Sequence, residues 1–171
     1  MYQQVQKISV LTNTSGFDCG DDDLNDFLKT DALRDSNNWI SSTFVLECDA
    51  KVIGFFTIAW DTIQSGKINE SDQVENYPYA KYSAIKLARL GVDKAWQRKG
   101  VGTELMISFY KIAKLSTHYG GGRYITVDAK KTAVEFYRKF SFHAVNSKRN
   151  DETVPMYLDF YSFVNNAVNN R

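Results

Sequence analysis

The stretch of residues 84–118 constrains the fold more than any other part of the chain. It begins with the apolar strand pattern "AIKLARLGVD", passes through a turn that contains Gly100 and Gly102, and continues with apolar residues at helical spacing. A strand that leads through a tight turn into a helix is a unit of α/β architecture. Strand and helix patterns also succeed each other elsewhere, so we predict an α/β domain with a central, largely antiparallel sheet and helices on its faces.

The other elements follow from the same kinds of spacing. In chain order they are a strand at 5–11 and a helix within 17–34, which is entered from Gly20 and has acidic residues in its first turn. Strands at 42–48 and 51–60 around a turn at 49–50, a buried strand within 120–129, a helix at 130–140, and the strands "SFHAV" and "TVPMYLDF" follow. Residues 61–82 form a long polar connection, and such loops are often functional. We predict a single domain over residues 1–160, followed by a polar C-terminal tail, residues 161–171, that frays.

The glycine turn has the form Gln97-x-x-Gly100-x-Gly102 and includes Arg98 and Lys99. Because glycine has no Cβ, the backbone can approach an anion closely, and the amides at a helix start have no partners within the helix. A phosphate or pyrophosphate is the natural ligand of such a turn. The pattern lacks the G-K-[ST] of a P-loop and the third glycine of a dinucleotide fingerprint. A glycine-softened turn with surface cations is the alternative that the pattern alone leaves open.

Charge and cysteine usage narrow the classes of function. With 21 basic and 20 acidic residues the net charge is +1, so nothing global demands nucleic acid, although a local basic patch is compatible with it. Two cysteines and two histidines without ligand-type spacing do not predict a metal site, and we expect Cys19 and Cys48 to be reduced, buried thiols. The N-terminus reads neither as a cleavable signal nor as a membrane span, so we expect a cytoplasmic protein without membrane partners.

Two motifs follow each other along the chain. The segment "LARLGVDKAWQRKGVGTELM" contains Gln97-x-x-Gly100-x-Gly102 between a strand and a helix, and "VDAKKTAVEFYRKFSF" follows downstream with Ala133, Phe136, Tyr137 and Phe142. In this order the two motifs resemble the Q/R-x-x-G-x-G/A and A-x-x-F-Y-x-x-x-G-F segments of the GNAT family of N-acetyltransferases. Ser141 stands where that family usually has glycine. The resemblance implies the GNAT fold, an α/β (α+β) domain with a mixed, mostly antiparallel sheet of six to seven strands and helices on both faces. It also implies acetyl-coenzyme A as cofactor.

The same resemblance implies roles for individual residues. The strand backbone at Leu90, Gly91 and Val92 would pair with the pantetheine arm of acetyl-coenzyme A, and the amides that follow would hold its pyrophosphate. Tyr137 would protonate the leaving thiolate, although without the motif a core tyrosine is the simpler interpretation. The cofactor-binding residues that it implies are Leu90, Gly91, Val92, Gln97, Arg98, Lys99, Gly100, Val101, Gly102, Thr103, Ala133 and Phe136.

The sequence does not identify the general base that would take the proton of the acceptor amine. Asp93 and Asp128 each follow an apolar strand, where sites in α/β proteins gather. Asp128 is more simply interpreted as a cap of the following helix, and a chain of water molecules is an alternative base.

The segments "GFDCGDDDLNDFL", "YPYAKYSAIKLARLGVD" and "WQRKGVG" resemble the acetyltransferase toxins of toxin–antitoxin pairs. That resemblance implies aminoacyl-tRNA as acceptor and a ribbon-helix-helix antitoxin as partner. A small-molecule amine or a protein N-terminus is the alternative acceptor, and a non-catalytic acyl-coenzyme A-binding module is the alternative class. Dimers are common in the family, and the strand after Phe142 is a candidate edge for pairing with a second copy.

Phosphate contacts to a tRNA require basic side chains, and the chain offers local candidates. They are Lys81, Lys86, Arg89, Arg98, Lys99, Lys130, Lys131, Arg138 and Lys139. A solvated surface, or a set that serves only coenzyme A, is the alternative interpretation of these residues.

Overall fold

The structure is a computed structural model that describes residues 4–145 and 152–169. Its strands are β1 (Gln6–Lys7), β2 (Ser42–Cys48), β3 (Lys51–Gln64), β4 (Lys81–Val92), β5 (Tyr124–Lys130), β6 (His143–Ala144) and β7 (Thr153–Asp159). Its α-helices are α1 (Asp22–Asp26), α2 (Ala32–Asn37), α3 (Val101–Gly120), α4 (Val134–Arg138) and α5 (Phe160–Asn169). A π-helical turn, Phe27–Asp31, joins α1 to α2.

The strands form one sheet in the order β1-β2-β3-β4-β5-β7-β6. Antiparallel pairing joins β1 with β2, β2 with β3, β5 with β7, and β6 with β7. The exception is the parallel pairing of β4 with β5, from Ala84 opposite Tyr124 to Lys86 opposite Thr126. The predicted fold, a mixed and mostly antiparallel sheet with helices, is therefore confirmed.

The chain divides into two compact units. The first unit comprises the chain up to Ala59 together with Leu87–Lys114, and the second comprises Trp60–Lys86 together with the chain from Leu115 onward. Each unit has a buried cluster of its own, built on Phe55 in the first unit and on Tyr124 in the second.

In the first unit, successive residues of β3 face opposite sides of the sheet. Gly54 and Phe55 therefore pack against different segments on the two sides. On one side α3 lies so close to Gly54 that a Cβ there would stand 2.9 Å from Leu105 Cδ1. On the other side Phe55 packs against Phe17 and Phe27, with ring centroids 5.4 Å and 6.4 Å away. These packings fix the position of the α3 N-terminus over the sheet.

The first helical segment begins as the acidic pattern indicated. The Asp21 side chain caps α1 by accepting a hydrogen bond from the Leu24 amide at 3.2 Å, and two further aspartates occupy the first turn. Both placements favour a helix N-terminus. The π-helical turn that follows was not predicted.

In the second unit, tyrosine hydroxyls anchor the long connection between β3 and β4. Tyr157 donates to the Asp72 carboxylate at 2.6 Å, and Tyr124 donates to the Asp72 carbonyl oxygen, also at 2.6 Å. The Tyr82 hydroxyl accepts from the Val74 amide at 3.2 Å. The loop that the sequence marked as polar is therefore bound to the sheet along its length.

Several sequence expectations differ from the structure. The first strand is two residues long, β3 continues to Gln64, and residues 160–169 form α5 instead of a fraying tail. An apolar side on α5 explains the last difference, because Phe160 is buried and stacks on Phe163. Cys48 is buried as expected, whereas Cys19 is only partly buried, and both thiols are free. The division into one domain and a tail remains a prediction.

No helix in the described part of the chain is long and apolar enough to cross a membrane.

Candidate active site

The glycine motif lies at residues 97–103, which we call the anion turn; it is exposed from Gln97 to Gly100 and enters α3 at the buried Val101. Arg98 and Gly100 have positive φ angles of 58° and 85°, and such left-handed positions turn successive amides toward one side of the chain. A Cβ built on Gly100 meets no atom within 4 Å, so the space beside this residue is open. A Cβ-free backbone beside open space suits the close approach of an anion.

The anion turn continues into the N-terminus of α3. The first hydrogen bond across this start runs from the Glu104 amide to the Gly100 carbonyl oxygen at 3.1 Å. The amides of Val101, Gly102 and Thr103 precede that bond, at the partly positive end of a helix that is 20 residues long. Together with the open space at Gly100, this start fits a pyrophosphate group.

The Gln97 side chain is bonded within the protein. Its Nε2 atom donates to the carbonyl oxygens of Cys19 and Val92 at 2.9 Å and 3.0 Å. Both amide hydrogens are therefore used to join the turn to these two backbone positions, and the cofactor contact of Gln97 remains a prediction.

The strand residues before the turn are set by packing. Gly91 is buried, and a Cβ there would stand 2.7 Å from Phe55 Cε1, so glycine is required by the core beneath the strand. Leu90 and Val92 are half-buried. Their predicted pairing with a pantetheine arm remains a prediction.

The second motif forms α4 and the turn that ends it. The Phe142 amide donates to the Tyr137 carbonyl oxygen at 3.2 Å, and the Ser141 amide donates to the Arg138 carbonyl oxygen at 3.0 Å. This pair of bonds, with Ser141 at φ 65°, is a Schellman motif, whose left-handed residue is usually glycine. Ser141 adopts the backbone conformation that explains the glycine of the family motif.

The Schellman motif also places the Tyr137 ring. The ring centroid of Tyr137 lies 5.6 Å from that of Phe142 and 5.3 Å from that of Phe136, in edge-to-face geometry. Tyr137 is only 6% exposed, and no described residue is recorded as a hydrogen-bond partner of its hydroxyl. Burial raises the pKa of Tyr137 to about 12. The phenol is therefore held in its protonated form at neutral pH.

The other two residues of this motif are less buried. Phe136 is half-buried and packs on Phe140 at 5.0 Å, and Ala133 precedes α4 as its N-cap residue. Their contacts with a cofactor remain predictions.

Both aspartates that follow an apolar strand, Asp93 and Asp128, have partners in the structure. Asp93 caps the turn Lys94–Trp96 by accepting from the Ala95 amide at 2.9 Å, and it also accepts from the Asp18 amide at 3.1 Å. Asp128 lies within β5 and pairs with Lys86 at 2.6 Å, so its predicted capping of the following helix is wrong. The strand continues two residues beyond Asp128, which leaves it no position at a helix start.

The basic candidates are dispersed. The Arg89 guanidinium lies 3.7 Å above the centre of the buried Phe27 ring, and Arg138 pairs with Glu135 at 2.6 Å. Lys99 lies on the anion turn, 5.7 Å from the centre of the Trp96 ring. Lys81 and Lys139 are exposed, at the start of β4 and the end of α4.

Among the described residues, no group of three or more histidine, cysteine, aspartate or glutamate side chains could hold a metal ion.

The family model of the acetyltransferase (GNAT) domain matches residues 17–158. The chain therefore belongs to the GNAT acetyltransferase family, and the predicted family is confirmed. This match contains both the anion turn and the Schellman motif.

The chain is also similar in sequence to a characterised toxin. The tRNA-acetylating toxin of Mycobacterium tuberculosis (strain ATCC 25618 / H37Rv) is 30% identical over 108 residues, which cover 61% of this chain and 62% of the relative. The chain thus spans less than two thirds of the length of that relative.

Solved structures with the same fold include AtaT complexed with acetyl-methionyl-tRNAfMet, with a TM-score of 0.86 and 20% identity over 98% of this chain and 99% of that one. A tyrosine-to-phenylalanine mutant of the AtaT toxin, bound to the C-terminus of the antitoxin AtaR and acetyl-coenzyme A, has a TM-score of 0.75 and 19% identity over 94% of each chain.

Proposed function

We propose that this chain is an acetyl-coenzyme A-dependent N-acetyltransferase that acetylates the amino group of aminoacyl-tRNA, as the toxin of a toxin–antitoxin pair. The observation on which the chemistry rests is the buried, protonated Tyr137 at the end of α4. Membership of the GNAT family and the likeness to a tRNA-acetylating toxin support the acceptor.

The anion turn holds the cofactor. The amides of residues 98–103 bind the pyrophosphate, with Arg98 and Lys99 adding positive charge. Acetyl-coenzyme A supplies an activated acetyl group as a thioester. A neighbour of the same fold that is described with acetyl-coenzyme A supports this assignment.

Tyr137 is the general acid. A phenol with a pKa of about 12 stays protonated across the physiological range and can give its proton to a thiolate that leaves. Asp93 and Asp128 have structural partners, so water is the better candidate to take the proton of the acceptor amine. A binding module without turnover has no use for a buried acid.

A basic segment around Tyr137 supports a tRNA acceptor. Residues 130–140 contain four cations, Lys130, Lys131, Arg138 and Lys139, and one acid, Glu135. Such an excess provides phosphate contacts that the near-neutral chain does not offer as a whole.

The test is acetyl transfer from acetyl-coenzyme A to a panel of charged tRNAs, polyamines and peptides, with uncharged tRNA and Tyr137→Phe as controls. We expect acetylation of charged tRNA that is lost with the uncharged form. Transfer to polyamines or peptides alone would instead assign the acceptor to small amines or protein N-termini.

Two partners belong to the same proposal. Expression of the chain alone should arrest growth, and a small ribbon-helix-helix antitoxin should reverse the arrest. The neighbour described with its antitoxin AtaR supports an antitoxin partner. The strand β6 lies at one end of the sheet order, which supports a homodimer formed by pairing of two such edges. Light scattering at several protein concentrations tests the dimer.

A further inference from the structure

A segment far from the anion turn in sequence is bonded to the base of that turn. Residues 18–20, which we call the latch segment, receive a hydrogen bond from the Lys94 amide to the Asp18 carbonyl oxygen at 2.8 Å. The Asp18 amide donates in return to the Asp93 carboxylate at 3.1 Å. Gln97, the first residue of the anion turn, donates to the Cys19 carbonyl oxygen at 2.9 Å.

The Asp18 side chain links the latch segment to Lys94 and to α1. Its carboxylate accepts from Lys94 Nζ at 2.9 Å, from the Gly20 amide at 2.9 Å and from Asn25 Nδ2 at 3.0 Å. The hydrogen bond from Lys94, followed by those from Gly20 and Asn25, lowers the pKa of Asp18 to about 2. These bonds therefore favour the charged form of the carboxylate.

Asn25 closes the network from the side of α1. This residue is buried, and its Oδ1 atom accepts from the Cys19 amide at 2.9 Å. Gly20 has a φ of 86°, and a Cβ there would stand 2.9 Å from Lys94 Cε. Only glycine gives this turn without strain and lets the Lys94 stem lie against it.

We propose that the latch segment is a positioning element for the pyrophosphate of the cofactor, with Asp18 and Gln97 as its positioning residues. This inference rests on the proposed function of the anion turn. Neither residue touches the cofactor; they hold the backbone before Arg98 in the conformation that aims its amides. A site ordered before binding loses less conformational entropy when the ligand arrives.

The test compares donors with and without a pyrophosphate. Acetyl-coenzyme A and acetyl-pantetheine present the same thioester, and only the first contains the group that the anion turn binds. The variants are Asp18→Ala and Gln97→Met, with Asp23→Ala and Gln73→Met as controls. Asp23 is an exposed acid in α1, and Gln73 donates to the Ser65 carbonyl oxygen in the second unit.

For Asp18→Ala and Gln97→Met we expect coenzyme A to bind about tenfold more weakly by calorimetry, a change of about 1.4 kcal/mol. The KM for acetyl-coenzyme A should rise by the same factor with kcat unchanged, while kcat/KM for acetyl-pantetheine stays within about twofold of the parent. Gln97→Glu should lose more than Gln97→Met, since it loses the same two donations and also places a negative carboxylate against two carbonyl oxygens. The controls should match the parent.

Equal losses with both donors would show a general structural role and overturn the inference, as would variants that bind coenzyme A like the parent. A parent that does not prefer acetyl-coenzyme A would overturn the proposed pyrophosphate site and the latch together. Lys94→Met keeps the stem against Gly20 and removes the ion pair, so it serves as a milder variant if Asp18→Ala does not fold.

Discussion

Two helix termini in this molecule are built in opposite ways. The N-terminus of α3 presents amides that precede its first internal bond, beside open space at Gly100. The C-terminus of α4 closes its carbonyl oxygens in a Schellman motif and covers itself with the Phe142 ring. An open terminus can bind an anion, whereas a closed apolar terminus can hold one side chain in a fixed, poorly solvated place.

The surroundings of the two termini also differ: polar side chains surround the anion turn, and aromatic rings surround the end of α4. Charged and amide side chains order the anion turn, and the carboxylate of Asp18 is stabilised in its ionised form. Aromatic rings order the end of α4, and the Tyr137 phenol is stabilised in its neutral form. We therefore expect changes at the anion turn to alter affinity and changes at Tyr137 to alter rate.

The largest effect expected is on turnover. Tyr137→Phe removes one oxygen and keeps the ring packing, so the rate at saturating acetyl-coenzyme A should fall by about 10²–10⁴-fold. Affinity for coenzyme A should stay close to that of the parent. Initial rates, calorimetry and a thermal melt measure the three properties, with the exposed Tyr119→Phe as control. Turnover within about twofold of the parent would make Tyr137 a core aromatic.

The next effect is on affinity. Gly102→Glu places a side chain and a negative charge at the start of α3, where the pyrophosphate is proposed to bind. Coenzyme A should bind at least about tenfold more weakly, a loss of about 1.4 kcal/mol. Gly66→Glu is the matched control, because a Cβ at Gly66 meets no atom within 4 Å. If the folded Gly102→Glu protein binds coenzyme A as tightly as the parent, the proposal that the anion turn binds the pyrophosphate is wrong.

A smaller effect concerns the stability of the α4 terminus. Ser141→Gly removes the Cβ from a residue at φ 65° and should raise the free energy of unfolding by about 0.5–1 kcal/mol. That gain corresponds to a rise in Tm of about 1–4 °C for a chain of this size. Ser141→Ala keeps the Cβ and should gain nothing. A destabilised Ser141→Gly protein with a lower Tm would mean that the serine side chain makes a stabilising contact.

The smallest effect is on the pH dependence of kcat, which should stay flat where Tyr137 remains protonated. Because burial raises the pKa of Tyr137 from the ordinary value of 10 to about 12, the folded state favours the protonated phenol. The corresponding stability is complete below pH 10 and is lost as the pH rises toward 12. Between pH 7 and about 9.5, kcat should show no falling limb from Tyr137. A limb in that range that disappears in Tyr137→Phe would show a phenol whose pKa lies below its ordinary value instead of above it.

Local signals were enough to predict the anion turn and α4. The glycines, the helical spacing after Val101 and the aromatic pair Phe136–Tyr137 all lie within short windows, where propensity and backbone sterics act. The substitution at Ser141 was visible as a departure, but its left-handed backbone was not. A sequence shows which residue is present and leaves its φ angle to the structure.

Long-range polar contacts account for most of what was missed. Asp18 and Lys94 are 76 positions apart, and the tyrosine anchors of the long loop span 52 and 85 positions. Single-sequence patterns contain no information on such pairs. The acidic segment "GFDCGDDDLNDFL" resembles that of the acetyltransferase toxins, but its sequence does not show what Asp18 contacts. In the structure the Asp18 carboxylate accepts hydrogen bonds from Lys94, Gly20 and Asn25. The sequence left the general base open, and the partners of the two candidate aspartates include the distant residues Asp18, 75 positions from Asp93, and Lys86, 42 positions from Asp128.

The measurement that tests the separation of binding and chemistry most directly is a double-mutant cycle. Coenzyme A affinity and kcat would be determined for the parent, Gly102→Glu, Tyr137→Phe and the double variant. The account predicts that the double variant binds as Gly102→Glu does and, at saturation, turns over as Tyr137→Phe does. A Tyr137→Phe protein that loses affinity, or a Gly102→Glu protein that binds normally but has lost kcat, would contradict it.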